Sequence, residues 1–289
     1  MRVRRRWKVA AVQLTSTAEV ERNVRGAVRR IRQAAAEGAD LVALPENFAY
    51  LRPEGSKVTF RTGLRDGLVS GMRDLAGELE IHLLLGSIPE AIPRSRKIHN
   101  TSVLIGPDGA VLAVYRKMHL FDIAIHGKVN LKESSHVEAG TKVVVASTEL
   151  GNLGLSVCYD LRFPELYRKL AFSGAQVLFV PAAFTSYTGP YHWLPLLRAR
   201  AIENQCWVVA PAQVGNHGPG RRSHGETAVV DPWGEVVACR PKRPGPVHAE
   251  IDLDRVARVR QGLPCLDHVR LGGLGARSRK GTVRGEGSE

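Results

Sequence analysis

Cysteine is scarce in this chain, with four in 289 residues: Cys158, Cys206, Cys239 and Cys265. No two form a CxxC pair and none sits in a Cys/His cluster. That excludes a disulfide scaffold and a zinc centre built from sequence-local ligands, and neither metal nor cofactor is expected. Free thiols fit a reducing compartment, so a cytoplasmic protein is expected. Aromatics make up 6% of the chain and do not alternate with basic residues, which leaves no platform for stacking nucleobases. No apolar run is long enough to span a bilayer, and the basic start Met-Arg-Val-Arg-Arg-Arg-Trp-Lys precedes too short an apolar stretch for a signal-peptide core. A Pro/Gly/Ser linker is also missing. One domain is therefore expected over residues 7–262, with a basic arm at 1–6 and a tail at 263–289.

The formal net charge is +13. Residues 1–8 hold five basic side chains and no acidic one, and residues 277–289 hold four basic against two acidic. More than half of the excess therefore lies at the ends. What remains is ordinary for a soluble domain, so nucleic acid is not an expected partner. A basic binding module in which Cys158 is merely structural is the reading from another functional class, and salt-dependent DNA binding without turnover is its signature. With 44% apolar residues the chain can bury a full core.

Strand and helix patterns alternate along the chain. Residues 7–14 read as a strand. Residues 18–37 read as a helix with Val20, Val24, Ala27, Val28, Ile31 and Ala35 inward, capped by Thr17 and stopped by Gly38. A strand at 41–45 follows, then a helix at 64–80 whose Leu64, Leu68, Met72, Leu75 and Leu79 share one face. Strands are expected at 81–87, 102–105 and 110–115. Residues 118–141 have no strong period and read as a long loop walling a site. Further strands fall at 153–157, 176–181, 207–211, on either side of the 231–234 turn and at 247–251, with helices at 164–172 and 192–204. This interleaving predicts an α/β fold with helices covering the outer faces of two stacked sheets.

Three reactive side chains close strands. Cys158 ends an apolar strand just ahead of a helix that Pro164 would open, where a helix dipole favours the thiolate. Glu46 closes the strand at 41–45, and Lys117 closes the strand that ends Val114-Tyr115-Arg116. A nucleophile, an acid/base and a cation are thus expected at one sheet edge.

In Leu44-Pro-Glu-Asn-Phe48, Tyr115-Arg-Lys-Met-His-Leu-Phe-Asp122, Val157-Cys-Tyr-Asp-Leu-Arg-Phe-Pro-Glu165 and Ala228-Val-Val-Asp-Pro-Trp-Gly-Glu235, the chain resembles the nitrilase, or carbon-nitrogen hydrolase, superfamily. The resemblance implies an αββα sandwich of two mixed sheets and a triad of Glu46, Lys117 and Cys158, with Glu133 as a second glutamate that orients Lys117. It also implies a homodimer through the helices at 164–172 and 192–204. Tyr191, Trp193, Leu194, Leu196, Leu197 and Ile202 there are more apolar surface than one helix face can hide.

The chemistry expected is attack by Cys158 on a small-molecule amide, with Glu46 taking and returning the proton. Lys117 and the Tyr159 N–H would meet the oxyanion, and an acyl-thioester would follow. Arg162 either binds a substrate carboxylate or pairs with Asp160, and His119 holds the loop. Tyr159-Asp160 stands where nitrilases usually have Trp-Glu. The longer match looks like the branch containing ω-amidase and deaminated-glutathione amidase, which implies hydrolysis of a small carboxylate-bearing amide with release of ammonia. An N-carbamoyl-amine hydrolase is the alternative within the fold. The chain departs from the branch at Gly225-Glu226-Thr227, where Gly-His-Ser is usual, placing a carboxylate near the expected pocket.

Overall fold

The computed structural model describes residues 3–125 and 129–271. Two six-stranded sheets stack face to face. The first runs, edge to edge, Gly245–Asp252, Arg6–Gln13, Leu41–Ala43, His82–Ala91, Ile98–Ile105 and Val111–Arg116. The second runs Val236–Arg240, Thr227–Val230, Trp207–Ala210, Val177–Phe179, Gly151–Leu155 and Val145–Thr148. Both are mixed, with parallel strands at the centre and antiparallel strands outside.

The strand period of two sorts the core into layers. Val9, Ala11, Leu41, Ala43, Leu84 and Leu104 point into the space between the sheets. Their neighbours Ala10, Val12, Val42, Leu83, Leu85, Val103 and Ile105 pack instead under α1 (Val20–Ala36) and α2 (Gly67–Leu79). On the far side, α3 (Pro164–Phe172) and α4 (Gly189–Asn204) press Leu166, Leu170, Trp193 and Leu197 onto the second sheet. The result is the αββα order expected from the sequence.

Several local expectations are corrected. Thr17 does not cap α1, which begins at Val20. Its hydroxyl accepts the Glu19 N–H at 3.2 Å, and its backbone N–H and C=O are both bound by the Asn23 amide. The five-residue stripe read for α2 also drifts, because the helix starts only at Gly67. Val69, Met72, Leu75 and Ala76 are its buried residues, while Leu64, Leu68 and Leu79 are half-buried. The stretch 118–141 is not one long loop. It holds the hairpin Asp122–Ile125 with Val129–Lys132 and a 3-10 turn at Glu133–Ser135. Helix α5 (Leu253–Gly262) was not read at all, although Asp252 accepts the Asp254 N–H in an ordinary N-cap.

Candidate active site

Strand direction gathers the three reactive residues. Leu41–Ala43 and His82–Ala91 run parallel, and two antiparallel steps then return Val111–Arg116 to the same sense. The carboxyl ends leading to Glu46 and Lys117 therefore share one edge. In the facing sheet Gly151–Leu155 runs parallel to Val177–Phe179 and delivers Cys158 to that edge. The Gln213 amide ties the two sheets by donating to the Glu46 carbonyl at 3.0 Å. Beneath Glu46 the backbones approach so closely that a Cβ on Gly86 would lie 1.9 Å from the Leu44 carbonyl oxygen, so only glycine fits.

Lys117 is 2% exposed. Its ammonium donates to Glu46 Oε1 at 3.1 Å and to Glu133 Oε1 and Oε2 at 3.1 and 2.9 Å. Asn100 Nδ2 bridges the same two carboxylates, at 2.9 Å to Glu46 and 3.2 Å to Glu133. The remaining oxygens are also held: Glu46 Oε2 accepts the Ala183 N–H at 2.8 Å, and Glu133 Oε2 accepts the Phe121 N–H at 2.6 Å. Among the charges that act on the Cys158 thiol, Glu46 has the largest effect and Lys117 the next. Asn100 was missed in the sequence, because a lone asparagine inside a strand carries no signal for bridging two acids.

Burial alone would neutralise the Lys117 ammonium, but Glu133 and Glu46 outweigh it and hold its pKa well above the ordinary lysine value. Burial likewise pushes Glu46 up. The Lys117 charge and the bonds from Lys117 and Ala183 prevail, leaving its pKa below the usual carboxylate value. Cys158 moves the other way: burial and then the Glu46 charge raise its pKa well above that of an ordinary thiol. This corrects the expectation of a dipole-stabilised thiolate. Cys158 opens a 3-10 turn, Cys158–Arg162, and α3 begins only at Pro164. The resting pair is thus a protonated thiol beside an ionised carboxylate.

Cys158 has φ +48, a left-handed backbone that non-glycine residues seldom adopt. Its own N–H is spent on the Pro181 carbonyl at 2.9 Å, whereas the Tyr159 N–H has no partner among the described residues. Asp160, completely buried, fixes this turn. Its carboxylate accepts Tyr115 Oη at 2.7 Å, the Val157 N–H at 2.8 Å, and the His119 N–H and Nδ1 at 3.0 and 2.7 Å. It therefore locks the Cys158 turn to the strand that carries Lys117. Arg162 does not pair with Asp160. Its guanidinium lies 5.0 Å from the Phe184 ring centroid and 5.9 Å from that of Tyr159, with Nη1 3.2 Å from His192 Nδ1. His119 stacks on Phe163 at 3.7 Å and holds the loop through Asp160.

Two further expectations change. Glu226 forms no hydrogen bond with Glu46, Lys117 or Cys158 among the described residues. It pairs with His224 Nε2 at 2.9 Å, so the imidazole of this turn stands two residues earlier in the chain. Of the apolar residues read as a dimer surface on α4, Trp193 and Leu197 are fully buried, and Leu194 and Leu196 pack on the core. Tyr191, at 75% exposed, and Ile202 remain outside, joined by Tyr187 and Trp233.

The carbon-nitrogen hydrolase family profile matches residues 8–261. The deaminated glutathione amidase of Synechocystis sp. (strain PCC 6803 / GT-S) is 46% identical, covering 91% of this chain and 97% of its own. The protein of the same name from Mus musculus is 43% identical, over 91% of this chain and 83% of its own. Among solved structures, the Caenorhabditis elegans NitFhit protein superposes with a TM-score of 0.86 at 41% identity. The match covers 93% of this chain and 66% of that longer one.

Proposed function

The chain belongs to the carbon-nitrogen hydrolase family, and from that premise we propose that Cys158 is the nucleophile of a thiol amidase acting on small carboxylate-bearing amides. The protein is an amidohydrolase of carbon-nitrogen bonds. The observation that carries the finer reading is one buried carboxylate, Glu46, which accepts from the Lys117 ammonium and whose charge also acts on the Cys158 thiol. A base whose pKa stays low inside a buried site keeps its proton-accepting form and can act on a thiol that burial keeps protonated.

In this reading sulfur attacks the amide carbon while the thiol proton passes to Glu46. The carbonyl oxygen becomes an oxyanion between the Lys117 ammonium and the Tyr159 N–H. Glu46 then protonates the amide nitrogen, the carbon-nitrogen bond breaks, and an acyl-thioester remains on Cys158. Glu46 next takes a proton from water, whose oxygen attacks the thioester, and returns it to the departing sulfur. Glu133 holds Lys117 in line throughout the cycle.

Arg162 binds the carboxylate of the acyl group, since it faces no competing acid among the described residues. The leaving group depends on the substrate. An ω-amide releases ammonia, whereas deaminated glutathione has no primary amide and would release the amine of its cysteinylglycine half. The exposed Tyr191, Ile202 and Trp233 support pairing of two copies through the α4 face. Four free cysteines support a cytoplasmic location.

Acid-quenched turnover followed by peptide mass spectrometry tests the reading. A mass increase equal to the acyl group is expected on the Cys158 peptide. Turnover with no adduct under conditions that slow deacylation, or release of carbon dioxide from N-carbamoyl amines with carboxylate-bearing amides untouched, would reject it.

A further inference from the structure

Two arginines near Glu133 have no acidic partner within salt-bridge distance among the described residues: Arg52 and Arg221. Both are half-buried. They belong to neighbouring loops, which Arg221 Nη1 joins by donating to the Arg52 carbonyl at 3.2 Å. Arg52 is placed by His136, whose Nε2 accepts Arg52 Nη2 at 2.8 Å while Nδ1 lies 3.1 Å from Ser135 Oγ. His136 follows Glu133 by one 3-10 turn, with its N–H donating to the Glu133 carbonyl at 3.1 Å. The Lys117–Glu133 pair, the His136 ring and the Arg52 guanidinium therefore form one continuous chain of contacts leading outward.

The charges around this pair leave it electropositive. Burial and Arg52 push His136 down to about 4, so the ring is neutral, with Nε2 free to accept from Arg52 and Nδ1 carrying the remaining N–H. Glu54 is the acid nearest to both arginines. It forms no ion pair with either, and burial raises its pKa in spite of them. Burial and the neighbouring Arg221 also depress Arg52, as is expected of two cations held close without a counter-ion. Arg52 Nη1 donates to the Ser56 carbonyl and Nη2 to His136, which leaves Nε and the second N–H of each terminal nitrogen to meet a carboxylate.

Position decides which end of a substrate would meet Arg52. Arg162 lies beside Tyr159 and Phe184 on the Cys158 turn, whereas Arg52 is reached from Lys117 through Glu133 and His136, at the other end of the contacts around the ammonium. We propose that Arg52 and Arg221 form a second subsite, for a carboxylate on the amine side of the scissile bond, which selects secondary amides whose leaving group is an acidic amino acid or short peptide. This deepens the amidase reading and rests on it. In a leaving dipeptide the terminal carboxylate lies at most about 7 Å from the scissile nitrogen, by two extended residues. Ammonia, as leaving group, would leave the subsite unused.

The test uses three substrates with one acyl group: deaminated glutathione, its C-terminal glycinamide form, and the primary amide. For the wild type, amidating the glycine should lower kcat/KM by about ten- to a hundredfold, as expected when a charge-assisted hydrogen bond is lost. Arg52→Gln should impose the same loss on deaminated glutathione but stay within about twofold on the other two substrates, and Arg52→Lys should recover part of it. Arg221→Gln, which removes only a bond to a backbone carbonyl, gives an independent variant should Arg52→Gln fold poorly, as thermal melting would show. Equal losses on all three substrates, or no loss on any, would overturn the subsite while leaving the amidase intact. A wild type that hydrolyses none of the three overturns the amidase reading and the subsite with it.

Discussion

At the reacting centre the Lys117 ammonium meets three carboxylate oxygens, whereas the guanidiniums around it, Arg162, Arg52 and Arg221, face no acid within salt-bridge distance among the described residues. The centre is closed: one ammonium sits between two carboxylates whose oxygens also accept from Asn100, Ala183 and Phe121. Its charged side chains are engaged with one another, and the polar groups left over, the Tyr159 N–H and Asn100 Oδ1, carry no charge with which to select an acidic substrate. The surrounding cations are unpaired, and leaving a guanidinium without an acid makes sense where a ligand brings one. Chemistry and selectivity are thereby assigned to separate residues, and mutations should separate them.

The largest effect should come from the centre. Cys158→Ala removes the proposed nucleophile, so turnover of every amide should fall to background while the fold persists, since Cys158 supplies only one sulfur to the core. Far-UV circular dichroism and product assays check both halves. Retained turnover of even one substrate would mean that this centre is not where the amide is attacked. Glu46→Gln comes next. It keeps the bonds from Lys117 and Asn100 but cannot accept the thiol proton, so kcat should drop by about 10²–10⁴-fold, equally for acidic and neutral amides. A loss of about twofold, or one confined to acidic substrates, would place Glu46 among the binding groups instead.

The same division governs what could be read from the sequence. Glu46, Lys117 and Cys158 each end a strand of strong apolar pattern, so both their elements and their shared edge were legible. The residues that organise them were not. Asn100 acts through an amide reaching two acids from distant segments, and Asp160 through four donors from three residues. Such long-range polar closure has no period. The thiolate expectation failed for a related reason: sequence places Cys158 before a helix, but only packing shows that burial and the Glu46 charge oppose ionisation. Arg52 and Arg221 were passed over because 169 residues separate the two ends of their link.

Arg162→Lys should have a smaller and selective effect. Lysine keeps the charge but lacks the bidentate fork, so an amide with an acidic acyl group should lose about ten- to a hundredfold in kcat/KM. A neutral amide of the same length should change little. The ratio of the two losses is the quantity to measure, because damage to the neighbouring Cys158 turn affects both substrates alike and cancels. Equal losses would assign Arg162 to holding that turn over Phe184 and Tyr159.

The smallest expected effect is that of pH across the neutral range. Glu46 is held below the usual carboxylate value, so its base form persists under acid, and kcat/KM should fall only below about pH 4.3, the ordinary glutamate value. Cys158 and Lys117 are both raised, so no alkaline limb from either should begin before about pH 8.5, the ordinary thiol value. Stability has the same signs. Because the folded pKa of Glu46 is depressed, its contribution is complete above the unfolded carboxylate value and is lost as pH falls through the folded one. Because those of Lys117 and Cys158 are raised, their contributions are complete below the unfolded values and are lost as pH rises toward the folded ones. Acidic and neutral amides should give parallel profiles, flat from about pH 5 to 8. Measuring kcat/KM and the urea midpoint over that interval checks both. An activity limb near the ordinary histidine value, about 6.5, would bring His119 into proton transfer and end the assignment of all acid-base work to Glu46. A limb seen with the acidic substrate alone would mean that a titrating group, not only arginine, takes part in selectivity.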